Sequence, residues 1–263
     1  MEMLMMHDSP GHKNVLLDDF ADGGLAVQAN QHLIVHRGEG MILDPGCHKV
    51  YGNVLGATMS VLGRAALKYL FLSHPDPDVL AAVNGWLMTT DAMAYVSRLW
   101  VQFVPQFGLD RRVQDRLLEI PDEGMRLSLG GSDLIVLPAH FLHSCGNFNV
   151  YDPVSKILYT GDLGASIGAS GREVTDFARH IPAMEGFHRR SMQSKRALHA
   201  WTRMARTLDV EIIAPQHGLV FRGKDMVARF YDWCDGLECG IDVMESIYQV
   251  PGAARARTPH GSV

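Results

Sequence analysis

The sequence is poor in cysteine. Only four of its 263 residues are cysteines, namely Cys47, Cys145, Cys234 and Cys239. A chain of this size would need more of them, in a denser arrangement, to be held together by a disulfide framework. We therefore interpret all four as reduced thiols, and Cys234 and Cys239 as core residues in preference to metal ligands.

The sequence also lacks the features that mark membrane, secreted and nucleic-acid-binding proteins. No apolar run approaches the roughly 18 residues that a membrane helix requires, and the N-terminus has neither the basic start nor the apolar run of a signal peptide. The net charge is only −5, with lysine and arginine dispersed along the chain, so no basic surface for nucleic acid or anionic lipid is indicated. We expect a cytoplasmic protein that binds neither membrane nor nucleic acid.

The composition favours a single folded domain. A hydrophobic content of 47% and a charged content of 20% are typical of a globular protein with a sizeable core. We expect one domain over residues 1–250. Residues 251–263 contain little apolar bulk, so we expect a disordered tail there.

Apolar patterning indicates the same order of elements in both halves of the chain. In the first half, predicted hairpin strands are followed by a helical pattern within 51–70, an apolar run that predicts a buried strand, a helix over 78–89 and a strand over 92–97. In the second half, predicted strands are followed by a long helix over 185–208, a strand over 210–214 and terminal helices within 223–250. The predicted hairpin strands cover 15–17, 25–28, 33–36, 41–43, 125–129, 133–137, 148–151 and 157–161. This repeated order predicts two packed sheets with helices on the outside.

The segment His74-Pro75-Asp76-Pro77-Asp78 follows directly on the apolar run 69–73. Residues two apart in extended backbone project to the same side, so His74, Asp76 and Asp78 can converge on one or two cations. The two prolines stiffen the turn. A His-x-Asp-x-Asp pattern also occurs by chance in solvated loops, so this segment alone leaves a metal site and an ordinary loop equally open.

Three further residues of metal-binding type lie beyond predicted strands. His143 lies in the loop after the strand at 133–137, Asp162 directly follows the strand at 157–161, and His217 follows the strand at 210–214. Independent loops that each present such a residue at a strand end predict one dinuclear site at a sheet edge. His140, three residues before His143, could hydrogen-bond a ligand or be an ordinary polar residue.

Together these segments resemble the metallo-β-lactamase fold and, within it, the flavodiiron proteins and the single-domain oxygen-binding diiron proteins. The resemblance is carried by residues 44–46, 73–78, 142–144, 159–162 and 213–218. It implies an α+β fold of four αββα layers, and by the same resemblance we expect a homodimer. It also implies a ligand set in which one iron is bound by His74, Asp76 and His143, the other by Asp78 and His217, and both by the bridging Asp162.

The residue types favour iron over zinc. Hydrolases of this fold usually follow a His-x-His-x-Asp-His pattern, whereas here Asp76 stands in place of the middle histidine and Val79 in place of the last one. Three histidines and three aspartates remain, and anionic oxygen ligands suit iron or manganese better than zinc. The missing histidine at Val79 implies an open position for water or a gas on the second metal.

Three functions stay open at this stage. No glycine-rich loop for a flavin phosphate is present, and the chain ends soon after His217, so we expect neither a bound flavin nor a flavodoxin domain. The leading hypothesis is a non-haem diiron protein that binds oxygen and acts as an oxygen sensor coupled to a signalling partner, and the ligand is expected to be dioxygen or nitric oxide. The first alternative is an oxygen or nitric oxide reductase fed by a separate flavoprotein or rubredoxin, and the second is a dinuclear zinc hydrolase. No catalytic residue is assigned.

Overall fold

Two sheets form the centre of the computed structural model, which describes residues 3–17, 20 and 27–251. The first sheet has the spatial order β1 (Leu4–Ser9), β2 (His12–Leu16), β3 (His32–His36), β4 (Glu39–Leu43), β5 (Ala66–Phe71), β6 (Met93–Ser97), β7 (Leu117–Ile120). The second has the spatial order β13 (Phe221–Arg222), β12 (Ile212–Pro215), β11 (Ile157–Gly161), β10 (Phe148–Asp152), β9 (Ser132–Pro138), β8 (Met125–Leu129).

Helices lie on the outer face of each sheet. Beside the first sheet are α1 (Tyr51–Leu62), α2 (Pro77–Leu80) and α3 (Val83–Thr89), and beside the second are α4 (Phe177–Ser191), α5 (Lys195–Ala205) and α6 (Lys224–Gly236). A short α7 (Ile241–Met244) and 3₁₀ turns at Val104–Phe107, Arg111–Arg116 and Glu245–Ile247 complete the described elements. None of the helices in this part of the chain is long and apolar enough to cross a membrane.

The side chains of the central strands point alternately to the two faces of each sheet, and this separates three apolar cores. In β4, Ile42 faces the helix side, where it belongs to one core with Trp86 of α3. The neighbouring Met41 faces the second sheet and shares a core with Phe148, because successive side chains of a strand point to opposite faces. A third core lies between the second sheet and its helices, with Trp201 of α5 at 3% exposure. The layer order is therefore helix, sheet, sheet, helix, and the predicted αββα fold is confirmed.

The long helix predicted over 185–208 is wrong in its bounds. The structure has two helices there, because α4 begins at Phe177 and a break at 192–194 precedes α5. Asp176 caps α4 by accepting a hydrogen bond from the backbone N–H of Arg179, and the Ser194 hydroxyl caps α5 by accepting one from the N–H of Ala197.

Other boundaries shift or fall outside the described residues. The helix predicted over 78–89 is two short helices, α2 and α3, and residues 27 and 28 of the strand predicted at 25–28 are not in a strand. Residues 25, 26 and 252–263 lie outside the described part of the chain, so the tail stays a prediction, as does the single domain over 1–250.

The strand directions bring the ends of β5, β9, β11 and β12 to one edge of the molecule. Strands β4, β5 and β6 are mutually parallel, and β11 is parallel to β12. Strand β9 runs in the direction of β11 because both pair antiparallel with β10. Since the carboxyl ends of strands that run the same way meet at one edge, the loops after β5, β9, β11 and β12 converge there.

Candidate metal centre

Four of the six predicted ligands form one tight cluster. Candidate ligand atoms of His74, Asp76, His143 and Asp162 all lie within 4.8 Å of one another. His143 Nε2 is 2.8 Å from Asp162 Oδ2 and 3.5 Å from Asp76 Oδ2, and His74 Nε2 is 3.6 Å from Asp162 Oδ1. Two imidazoles and two carboxylates therefore face a common point.

The remaining two predicted ligands join this cluster through Asp162. His217 Nε2 is 3.4 Å from Asp162 Oδ1 and 3.3 Å from Asp78 Oδ2. The Asp162 carboxylate thus lies between His74 and His143 on one side and His217 on the other. The structure brings all six residues together, and their division between two metals stays a prediction.

Hydrogen bonds fix the orientation of two histidine rings. The Ser73 hydroxyl donates to Asp44 Oδ2 at 2.9 Å, so it can only accept at its 2.8 Å contact with His74 Nδ1. His217 Nδ1 donates to the backbone carbonyl of Gln28. Both rings therefore carry their proton on Nδ1 and present Nε2 to the cluster, as metal-ligating histidines do.

The electrostatics of the centre are those of a site built for cations. Burial acts to raise the pKa of Asp162, but His74, His143 and His217 together hold it well below its usual range. Burial acts to lower the pKa of His143, but hydrogen bonds to the carboxylates of Asp162 and Asp76 outweigh burial and raise it to about 10. Burial acts to lower the pKa of His217 as well, but hydrogen bonds to the carboxylates of Asp162 and Asp78 outweigh burial and raise it well above its usual value. Because a metal must displace these protons, its binding releases them and strengthens as pH rises.

Two buried polar atoms without hydrogen-bond partners indicate whether the site suits a metal. His74 Nε2 and Asp162 Oδ1 are buried and have no hydrogen-bond partner among the described residues. Buried polar atoms are rarely left in this state, and both atoms point into the same space. Three imidazoles and three carboxylates around that space form a donor set that divalent iron, manganese or zinc would satisfy.

Several supporting residues were not identified from the sequence. Asp44 was interpreted only as part of the turn that ends β4, yet it accepts hydrogen bonds from both the backbone N–H and the hydroxyl of Ser73. Burial raises the pKa of the Asp44 carboxyl to about 6. An aspartate followed by Pro-Gly at a strand end was the available signal, but its distance of 29 residues from Ser73 hid the contact.

Two further residues near the centre, His140 and Val79, are not candidate ligands. His140 Nε2 lies 2.8 Å from the backbone carbonyl of Asp122, and His140 Nδ1 accepts from the N–H of Gly146, so this ring braces the loop that carries His143. Val79 is fully buried in the core on the helix side of the first sheet.

The fold and the ligand cluster define a metallo-β-lactamase-type protein with a candidate metal centre at the edge of its sheets. The sequence matches the family described as ODP family beta lactamase over residues 27–218. The chain belongs to this family, and the resemblance drawn from the sequence is confirmed.

Three known proteins show the range of its relatives. A chain of the chemotaxis sensor ODP, solved as a peroxy diiron species, is 37% identical with a TM-score of 0.83, and the alignment covers 94% of this chain and all of that one. The apo state of that sensor from T. denticola is 36% identical with a TM-score of 0.80, covering 94% of this chain and 99% of that one. An uncharacterised protein of Methanocaldococcus jannaschii is 20% identical over 209 residues, 78% of this chain and 52% of its own length.

A further curated relative is longer than the Methanocaldococcus protein. Diflavin flavoprotein A 1 of Synechocystis is 24% identical over 208 residues, which are 74% of this chain and 34% of that protein. The chain therefore spans about half of the length of the Methanocaldococcus protein and about a third of the length of the diflavin flavoprotein.

Proposed function

We propose that this protein binds dioxygen at a non-haem diiron centre and reports the bound state to a signalling partner. The observation that carries the proposal is the cluster of three histidines and three aspartates around the buried Asp162. A sensor solved with two irons and 37% identical to this chain supports it.

The proposed ligands divide between two positions. His74, Asp76 and His143 would hold one iron, Asp78 and His217 the other, and Asp162 would bridge them. When bound in the ferrous state, the two irons supply the electrons for reversible oxygen binding. The chain supplies three carboxylates, whose negative charge stabilises the higher oxidation state, and two histidines held in one tautomer by Ser73 and Gln28.

Helix α4 offers a physical route from the centre to the protein surface. The Phe187 ring packs edge-on against the His143 ring, with 6.1 Å between centroids. His188 Nε2 accepts a 2.8 Å hydrogen bond from the backbone N–H of Gly164, two residues after Asp162. Adjacent residues of one helix therefore contact the loops that carry His143 and Asp162, so a shift of either loop would act directly on α4. Such a contact would give a sensor a path for its output.

A reductase fed by a separate electron donor is the second candidate. The side chains of Asp76 and Asp78 are 39% and 31% exposed, so the centre opens toward solvent on the side of these two carboxylates. A donor protein could approach there, and the similarity to a diflavin flavoprotein favours the same possibility. A homodimer and the absence of a bound flavin stay predictions.

Anaerobic reconstitution separates these possibilities. Metal-free protein loaded with ferrous iron should bind two irons per chain, and oxygen should then produce an absorption band in the near-ultraviolet to visible region with uptake of about one equivalent per centre. A colourless product without oxygen uptake would refute the proposal. Uptake that continues for many equivalents when a flavoprotein or rubredoxin reductase is added would identify the reductase.

A matched pair of variants shows that the signal arises at the centre. His217→Ala removes a proposed ligand of the second iron and should leave one iron and no oxygen-dependent band. His199→Ala removes a histidine from α5 whose side chain is 45% exposed, and this control should keep both irons. Tightly bound zinc with hydrolytic turnover and no response to iron would favour the hydrolase.

A further inference from the structure

One buried side chain beside the centre has no role in the ligand set described above. Gln216 lies between β12 and His217 and is 1% exposed. Its amide nitrogen Nε2 is 3.0 Å from Asp78 Oδ2. A carboxylate can only accept, so the NH₂ group of the amide must face Asp78.

The backbone of Gln216 is held on both sides. Its N–H donates to the carbonyl of Gly161, the residue before Asp162, and its own carbonyl accepts from the N–H of Asn30. The side chain therefore starts from a fixed point between the bridging aspartate and His217, and its reach to Asp78 is set by the sheet.

The oxygen of the Gln216 side-chain amide lacks a hydrogen-bond partner among the described residues. This atom, Oε1, is also buried. A buried amide oxygen without a partner destabilises the fold, and an apolar side chain of the same length would avoid that penalty. Folding alone therefore gives no reason for glutamine here, whereas donation to a ligand carboxylate does.

We propose that Gln216 is a positioning residue that holds the Asp78 carboxylate in its orientation toward His217 and so sets the affinity of the second metal position. The amide donates to Asp78 Oδ2, the same oxygen that lies 3.3 Å from His217 Nε2, and so fixes the rotation of the carboxylate at the second position. This inference rests on the proposed assignment of Asp78 and His217 to the second metal.

The two metal positions should respond differently to loss of this amide. The first position draws its ligands from His74, Asp76 and His143, none of which contacts Gln216. Removal of a hydrogen-bond partner of a ligand commonly weakens metal binding about 10- to 100-fold. We expect a loss of that size at the second position alone.

The test is an anaerobic titration of metal-free protein with cobalt(II), whose visible spectrum reports the coordination of each position. Gln216→Met keeps the length and shape of the side chain without its donor, and Gln216→Asn keeps a buried amide that is one methylene too short to reach Asp78. Both variants should bind the first cobalt as the wild type does, bind the second about 10- to 100-fold more weakly, and show an altered spectrum for that second cobalt. Asn14→Leu is the matched control, because Asn14 also donates its amide to a buried carboxylate, Asp152, at 2.8 Å and away from the centre.

The outcomes are distinct. Folded Gln216 variants that bind two cobalts with wild-type affinities and spectra would overturn the inference and leave the proposed function intact. Equal weakening at both positions, or equal weakening by Asn14→Leu, would show a general structural effect and would also overturn it. Wild-type protein that binds two cobalts but takes up no oxygen when loaded with iron would instead refute the proposed function alone.

Discussion

Replacement of Ser73 by alanine tests whether the buried contact behind His74 controls metal binding. The Ser73 hydroxyl, in a residue that is 2% exposed, joins His74 Nδ1 to Asp44 Oδ2 through contacts of 2.8 and 2.9 Å. Alanine removes this atom and leaves the His74 Nδ1–H without an acceptor. Asp44 keeps its bond from the backbone N–H of residue 73, so the carboxylate is not stripped of all its partners.

The magnitude follows from these contacts. One buried donor left unsatisfied costs about 1 to 3 kcal/mol, and we expect the free energy of unfolding of the metal-free protein to fall by that amount. His74 then also loses the group that orients its ring. A change of this kind weakens metal binding about 10- to 100-fold, which equals about 1.4 to 2.7 kcal/mol of binding free energy.

Two measurements separate the effects, and Ser155→Ala provides the control. Urea unfolding of metal-free protein gives the stability loss, and competition with a chelator gives the iron affinity. Ser155 donates its hydroxyl to Asp152 Oδ2 at 2.8 Å in an equally buried setting away from the centre, so its alanine variant should lose similar stability and no iron affinity. A folded Ser73→Ala protein with wild-type iron affinity would refute the role of this contact.

Three further predictions concern Asp162 as the proposed bridging ligand, the loss of stability at acid pH caused by His188, and the contact of Phe187 in α4 with His143. Asp162→Ala should abolish binding of both irons together, and iron analysis that finds one iron retained would contradict the bridging role. Burial lowers the pKa of His188 to about 4, below the usual 6.5, so the unfolded chain takes up a proton first as pH falls. The free energy of unfolding therefore keeps its full contribution from neutral His188 above pH 6.5 and loses up to about 3 kcal/mol between pH 6.5 and about 4. Urea unfolding of His188→Gln across this range should show a smaller fall in the free energy of unfolding than the wild type shows. Phe187→Ala should leave two irons and the oxygen-induced band in place but reduce the oxygen-dependent change in hydrogen exchange of α4, and an unchanged exchange difference would exclude this contact as the route.

The central strands could be predicted from sequence because both of their faces are buried. Strands β3, β4, β10 and β11 are buried at nearly every position and have three apolar residues in five, and the structure places them where the apolar segments predict. Three described strands, β1, β7 and β13, were not predicted, and all three are edge strands. An edge strand has one paired side and a mixed burial pattern, so its conformation depends on a neighbour distant in sequence more than on its own residues.

The candidate ligands were found for a reason that does not extend to the residues around them. A ligand at the end of an apolar strand is marked by the strand before it, as His74 is by β5 and Asp162 by β11. The partners of these ligands carry no such mark. Gln28 holds His217 from 189 residues away in sequence, and Gln216 contacts Asp78 across 138 residues, so only the folded chain shows that they meet.

The position of Asp162 explains why one substitution should affect both metals while others affect one. Its carboxylate contacts His143 through Oδ2 and both His74 and His217 through Oδ1, and its loop is bonded to α4 through Gly164 and His188. The other proposed ligands each belong to one position. A change in the charge or separation of two metals held there would therefore act on Asp162 from two sides, and the backbone that follows it would pass that change to α4 through Gly164 and His188. If oxygen binding shifts this loop, hydrogen exchange at Gly164 should change before any change at His217; a response confined to the loop of His217 would place the route elsewhere.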